Sequence, residues 1–172
     1  QAVYNGTTGV DRVKGGVDND TVWGGEGDDV IDAQAGDDVV LGGEGDDKIA
    51  DLGGLDILKG GPGDDAIDAG PGDDILMGGD GSDLLNGGAN DNVTFAGEGN
   101  DFIIGGQGAD FVLGDGGDDW IQGGPGADYH ARPRVTFIDP EIGAVGLTER
   151  QARDGGIDVQ VGRTGKITPV VR

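Results

Sequence analysis

From Gly6 to Ala131 one inward-type position recurs every nine residues. It is filled by Val13, Val22, Ile31, Val40, Ile49, Leu58, Ile67, Leu76, Leu85, Ile103, Val112 and Ile121, and only Thr94 and His130 break the series. In a short strand side chains alternate sides, so this position faces one way and its two neighbours the other, leaving one inward side chain at the centre of each strand. The period of nine runs through fourteen units without an insertion or deletion. It predicts a solenoid in which two nonads make one 18-residue coil and equivalent strands of successive coils pair in parallel. Fourteen nonads give about seven coils. At about 4.8 Å between neighbouring strands the stack is on the order of 30 Å long.

The remaining positions of the unit supply the turn. Gly24 to Asp32 (GGEGDDVID), Gly42 to Ala50 (GGEGDDKIA) and Gly60 to Asp68 (GGPGDDAID) show the pattern Gly-Gly-x-Gly-x-Asp-x-aliphatic-x. Position four is Gly in all units but two. The exceptions are Asp18 and Asn90, residue types that tolerate the left-handed backbone region best, so a positive φ is expected there.

Position six carries the chemistry. It holds Asp11, Asp20, Asp29, Asp38, Asp47, Asp56, Asp65, Asp74, Asp83, Asp101, Asp110, Asp119 and Asp128, with Asn92 as the single departure. Alternate nonads turn on opposite sides, so these groups are expected in two ladders with rungs about 4.8 Å apart. Such ladders repel themselves unless a cation sits between rungs, taking one carboxylate from each flanking turn and completing its shell with turn carbonyls. Ca²⁺ suits this better than Mg²⁺, because it accepts six to eight oxygens at roughly 2.3–2.6 Å in loose geometry. One ion per gap gives up to about twelve ions.

Composition agrees. The chain has 172 residues, 40 glycines, no Cys and 5% aromatic residues, so little apolar surface is available for an ordinary core. The formal charge is -23 and unevenly placed: residues 1–131 carry 29 acidic and 4 basic side chains, residues 132–172 carry 5 and 7. A surface this negative makes nucleic acid an unsuitable partner, since phosphate binding rests on Lys and Arg. Without Cys there are no disulfides or thiolate sites. No run is long and apolar enough to span a bilayer, and Gln1 to Lys14 lacks the regions of a signal peptide.

The motif resembles the RTX (repeats-in-toxin, hemolysin-type) calcium-binding repeats over Gly6 to Ala131. That resemblance implies a right-handed parallel β-roll whose metal ligands are the position-six side chains and turn carbonyls. It also implies export from Gram-negative bacteria by type I secretion, with disorder in the low-calcium cytosol and folding outside. Metal-coupled folding follows independently, because a chain whose folded state contains the binding site gains folding free energy from the ion.

Three departures stand out. The tenth nonad, GGANDNVTF, alters turn, ligand and interior together through Asn90, Asn92 and Thr94. The sixth opens with Asp51 and Leu52 in place of glycines and reads as a turn variant. Late in the roll the outward positions become apolar, with Phe95, Phe102, Ile104, Phe111, Leu113, Trp120 and Tyr129. These either stack between coils or form a docking patch for the C-terminal segment or a partner.

From Arg132 the repeat stops. Arg134 to Ile138 and Ile157 to Val161 read as strands, with a short helix between them whose capping box is Thr148 and Gln151. The words Pro133-Arg134-Val135-Thr136-Phe137, Asp139-Pro140-Glu141-Ile142 and Val145-Gly146-Leu147-Thr148-Glu149 resemble the start of the dimerisation domain of flavin-dependent pyridine nucleotide-disulfide oxidoreductases. In that family catalysis needs a Cys pair and a His-Glu pair, and no such residues accompany these words. The segment is expected as a fusion or misassembled reading frame, with a partner-binding fragment and a cap on the last coil as rival accounts.

The chain is therefore read as an all-β protein: a β-roll over residues 6–131 followed by a short β-α-β tail over 132–172. Its expected job is calcium binding in a secreted, extracellular module that serves structure rather than catalysis. The rivals are an adhesin and the C-terminal part of a secreted hydrolase. Neither an HExxH nor a GxSxG motif occurs in the sequence.

Overall fold

The computed structural model describes residues 1–124, together with the backbone of three short strands at Thr136–Phe137, Val159–Val161 and Ile167–Pro169. Two parallel sheets face each other. The first contains β1 (Val3–Asn5), β3 (Thr21–Glu26), β5 (Val39–Glu44), β7 (Ile57–Pro62), β9 (Ile75–Asp80), β11 (Val93–Glu98) and β13 (Phe111–Gly116) in that order. The second contains β2 (Arg12–Lys14), β4 (Val30–Gln34), β6 (Lys48–Asp51), β8 (Ala66–Asp68), β10 (Leu84–Asn86), β12 (Phe102–Ile104) and β14 (Trp120–Gln122), and it ends on β15 (Thr136–Phe137).

Register confirms the 18-residue coil. Val22 pairs Val40, Val40 pairs Leu58 and Leu58 pairs Leu76 in one sheet. Val13 pairs Ile31, Ile31 pairs Ile49 and Ile49 pairs Ile67 in the other. Strand order in each sheet simply follows the chain, as stacking of identical coils requires.

The interior is the eighth-position stripe. Val22, Val40, Leu58, Leu76, Leu85 and Ile103 are fully buried, and Ile31, Ile49, Ile67 and Ile121 nearly so. Each contributes on the order of 1.5–3 kcal/mol by leaving water. Position one also faces inward, which glycine had hidden from the sequence reading: wherever it carries a methyl, at Ala33, Ala69 and Ala96, that methyl is fully buried. Tyr4 occupies the equivalent of position eight ahead of the first nonad, pairing Val22 and packing against the core. The roll thus extends at least half a coil before Gly6.

Strands are longer than positions seven to nine in one sheet. From β3 to β13 they run six residues, into positions one to three of the next nonad. The left-handed backbone falls mainly at positions two and four, for example Gly25 (φ 119) and Gly27 (φ 109). Asn90 takes it with φ 76, as expected of a position-four substitute, whereas Asp18 is not among the positive-φ residues. Gln34 (φ 82) and Asp115 (φ 64) hold it at position two without glycine. A Cβ on Gly25 would lie 2.0 Å from the Thr7 carbonyl oxygen, so close approach of neighbouring coils also selects glycine there.

Contacts divide the chain into compact units Gln1–Ile138 and Asp139–Arg172. Within the first, Trp120 pairs Thr136 and Ile121 pairs Phe137, so the second sheet gains a strand from the segment after the repeat. This step spans 16 residues rather than 18. In the second unit β16 (Val159–Val161) and β17 (Ile167–Pro169) pair antiparallel. The expected helix at Thr148 and Gln151, and Asp128, Tyr129 and His130, lie outside the described residues.

Candidate metal centre

From Asp20 to Asp119 every position-six side chain is shielded from water, while Asp11 is half-buried. Asp29, Asp38, Asp47, Asp56, Asp74 and Asp110 are 1% exposed. The side chains form the two expected ladders, joined by a repeated hydrogen bond. The Asp11 N–H donates to Asp29 Oδ1 at 2.7 Å, and the Asp29, Asp47, Asp65, Asp83 and Asp101 N–H groups continue the series to Asp119. On the other side, bonds run from the Asp20 N–H to Asp38 Oδ1 at 2.6 Å and on through Asp56, Asp74 and Asn92 to Asp110.

Only one oxygen of each carboxylate is used in this way. The Oδ2 atoms of Asp29, Asp38, Asp47, Asp56, Asp65, Asp74, Asp83, Asp101 and Asp110 are buried without a hydrogen-bond partner. Those of Asp29, Asp47, Asp65, Asp83 and Asp110 lie against the position-one glycine of their own nonad: a Cβ on Gly42 would come within 2.2 Å of Asp47 Oδ2, and one on Gly78 within 2.2 Å of Asp83 Oδ2. A buried, unpaired carboxylate oxygen is costly unless it is protonated or bound to a cation. Rows of them, all hard anionic donors, fit a hard divalent cation.

Electrostatics report the same unmet demand. Burial, reinforced by neighbouring carboxylates and opposed by the ladder N–H, pushes Asp56 up to about 6, Asp65 to about 7, Asp74 to about 6 and Asp101 to about 6. Asp38, Asp47, Asp83, Asp110 and Asp119 are raised for the same leading reason. Asp20 goes the other way. Its two oxygens accept from the Gly16 and Ala2 N–H groups, and those bonds hold its carboxyl below the ordinary value.

A second, exposed set of side chains lines the turns at position five. The Asp46 N–H donates to Asp28 Oδ1, Asp64 N–H to Asp46 Oδ1 and Ser82 N–H to Asp64 Oδ1. On the opposite side Leu55 N–H donates to Asp37 Oδ1, and Ala109 N–H to Asp91 Oδ1. Position five therefore accepts from the following coil while position six accepts from the preceding one. Between them they satisfy turn N–H groups that no strand reaches. Sequence reading passed over this row, although its signal was present: Asp or Asn recurs at Asn19, Asp28, Asp37, Asp46, Asp64, Asp73, Asp91, Asn100 and Asp118.

Four copies of the family model described as RTX calcium-binding nonapeptide repeat match residues 5–40, 41–76, 68–103 and 95–129. The chain belongs to the RTX calcium-binding nonapeptide repeat family. Its roll is a calcium-binding, structural module. Residues 132–167 match a second model, the dimerisation domain of pyridine nucleotide-disulphide oxidoreductases. Over 35 residues the chain is 54% identical to a dihydrolipoyl dehydrogenase of Mycobacterium leprae (strain TN). That match covers 20% of this chain and spans only 8% of the relative's length.

Against the RTX pattern the departures acquire definite geometry. Asn92 keeps the ladder bond, its Oδ1 accepting from the Asp74 N–H at 2.9 Å, but Nδ2 donates to the Asn90 carbonyl at 3.2 Å. A donor thus stands where other rungs hold an unpaired oxygen. Thr94 is 1% exposed and its Oγ1 has no partner. Asp51, expected as part of a turn variant, instead ends strand β6 and is 5% exposed with Oδ2 unpartnered. Leu52 beside it is exposed and is not among the positive-φ residues; Gly53 takes that conformation one position later, with φ 134.

The outward aromatic residues divide between the sheets. Phe102 and Trp120 stack at 3.9 Å between ring centroids on the second sheet, and Phe95 meets Phe111 edge-on at 6.3 Å on the first. Phe102 and Trp120 are register partners at position seven of adjacent coils, whereas Phe95 and Phe111 meet diagonally, position nine against position seven, and both are cross-strand packings that favour aromatic residues in strands.

Proposed function

We propose that this RTX module is a secreted bacterial β-roll that is unstructured at low calcium and folds when Ca²⁺ enters the gaps between coils. The observation that carries the proposal is the file of buried, unpartnered Oδ2 atoms, which makes the metal-free fold self-repelling and gives the ion its binding free energy. The ligands in this reading are Asp11, Asp20, Asp29, Asp38, Asp47, Asp56, Asp65, Asp74, Asp83, Asp101, Asp110, Asp119 and Asp128, with Asn92 as a neutral member of its ladder. Full occupancy is up to about twelve ions, one per gap. The roll winds right-handed, the hand favoured for parallel crossovers. Export is by type I secretion, and the job outside the cell is structural. Circular dichroism in chelator, in millimolar Mg²⁺ and in millimolar Ca²⁺ tests the reading. β structure that appears with Ca²⁺ alone supports it, and full β content in chelator overturns it.

Residues 132–172 are a separate segment in this reading. Their likeness to a small part of a dihydrolipoyl dehydrogenase supports a fusion with a reductase fragment. The pairing of Trp120 and Ile121 with Thr136 and Phe137 supports a further role as the cap that every solenoid end needs. Removing residues 132–172 separates the two. A lower melting temperature of the calcium-loaded roll supports the cap, and an unchanged one leaves a passive fusion. Dye binding by the truncated chain reports in addition whether the tail covers the outward rings of Phe102, Phe111 and Trp120.

A further inference from the structure

We propose that Asp38, Asp51 and Asp56 form a three-carboxylate cation site that differs in charge and affinity from the two-carboxylate gaps repeated along the roll. The proposal rests on the calcium-binding reading and concerns one gap within it. Asp51 stands at position one, where the repeat has glycine or alanine, and that position faces the interior. Its equivalents 18 residues before and after are Ala33 and Ala69, both fully buried, so a Cβ is tolerated at this position; a register shift beside Ala33 pairs Asp51 with Gln34, and the Asp51 carboxylate is itself buried in the roll.

One oxygen from each of Asp38, Asp51 and Asp56 lies within 4.8 Å of the others, and this is the only group of three candidate ligand side chains so gathered among the described residues. The side chains are 1%, 5% and 1% exposed. In each, one oxygen already accepts a backbone N–H: Asp38 from Asp20 at 2.6 Å, Asp51 from Gly53 at 2.7 Å and Asp56 from Asp38 at 2.7 Å. The second oxygen of each is buried with no partner. Three carboxylates converging in a water-poor space, each with one unsatisfied oxygen, ask for a cation more strongly than the pair found in an ordinary gap. Ligand charge is what tunes Ca²⁺ affinity among oxygen sites. The site therefore fills first as calcium rises, and with a net charge of three negatives it also favours a trivalent lanthanide over Ca²⁺ more strongly than its neighbours do.

The test uses the full chain, with Asp51→Asn, which keeps shape and removes charge, and Asp51→Gly, which restores the repeat. Isothermal titration with Ca²⁺ and competition of Tb³⁺ against Ca²⁺ are read beside circular dichroism at saturating Ca²⁺. The expected result is loss of the tightest class of site in both variants, its affinity falling at least about tenfold, with preferential Tb³⁺ uptake reduced and the saturated β signal unchanged. Ca²⁺ and Tb³⁺ titrations identical to the parent in both variants overturn the three-carboxylate site while leaving the calcium-folded roll intact. A parent chain that binds no Ca²⁺ overturns both.

Discussion

Asn92 and Asn90 are tied by a side-chain amide to backbone carbonyl bond of 3.2 Å, and this contact turns one rung of a carboxylate ladder into a neutral one. The rung keeps its structural duty toward Asp74 but points a donor, not an unpaired oxygen, into the gap. Cation affinity in the gaps shared with Asp74 and Asp110 is therefore expected to be lower than in gaps between two Asp rungs. Asn92→Asp is expected to add tighter binding to the Ca²⁺ titration, by about tenfold at the affected gaps. Isothermal titration indistinguishable from the parent sinks the idea.

Thr94 in the same nonad offers an independent handle on stability. Its hydroxyl is buried at position eight without a partner, in a row otherwise aliphatic among the described residues. Thr94→Val keeps the branched shape and removes the unsatisfied oxygen, so the calcium-loaded roll should gain about 1–3 kcal/mol. Chemical denaturation at fixed Ca²⁺ measures it, and a destabilised variant contradicts the unpartnered hydroxyl.

The metal-free fold has a pH dependence of definite sign. Asp56, Asp74 and Asp101 at about 6 and Asp65 at about 7 bind protons in the folded state that an unfolded chain, with carboxyls near 4, has already released. Their contribution to stability is fully present below about pH 4 and is lost as pH rises through 6 to 7. In chelator, β structure should therefore increase on acidification, while Ca²⁺ affinity should rise with pH over the same window because the ligands must be deprotonated. Circular dichroism against pH at zero and saturating Ca²⁺ checks both. A metal-free β signal that grows with rising pH would reverse the assignment.

How much of this was readable beforehand depended on whether a side chain announced the position. The coil length, the parallel register and the burial of Val22, Ile31 or Leu58 followed from an aliphatic residue at a fixed interval, since a unit with one apolar side chain has only one way to bury it. The two ladders followed from Asp at a fixed interval. The inward face of position one did not, because glycine has no side chain to reveal which way it points, and only the burial of Ala33, Asp51, Ala69 and Ala96 in the folded roll betrays it. Position two was equally silent: the positive φ at Gln34 and Asp115 is imposed by stacking of coils. Position five was legible as composition but not as function, since exposed Asp is ordinary in an acidic chain until its bonds to the next coil are seen.

Adjacent residues Asp64 and Asp65 separate the two carboxylate rows most sharply. Asp64 is exposed and serves as an acceptor for the Ser82 N–H, which an amide oxygen replaces. Asp64→Asn should therefore leave Ca²⁺ affinity nearly unchanged and alter stability by no more than about 0.5 kcal/mol, as surface substitutions do. Asp65 is buried, keeps one oxygen on the Asp47 N–H and holds the other unpaired. Asp65→Asn should act in two opposite directions: the metal-free roll is stabilised, because a buried charge that resists ionisation is gone, and Ca²⁺ binding in the two gaps that flank it is weakened by about tenfold or more. Paired titrations and chelator-state denaturation of the two variants decide the matter. Equal effects from Asp64→Asn and Asp65→Asn would mean that the inner and outer rows share one role, and the division of labour between bonding the backbone and holding the ion would be lost.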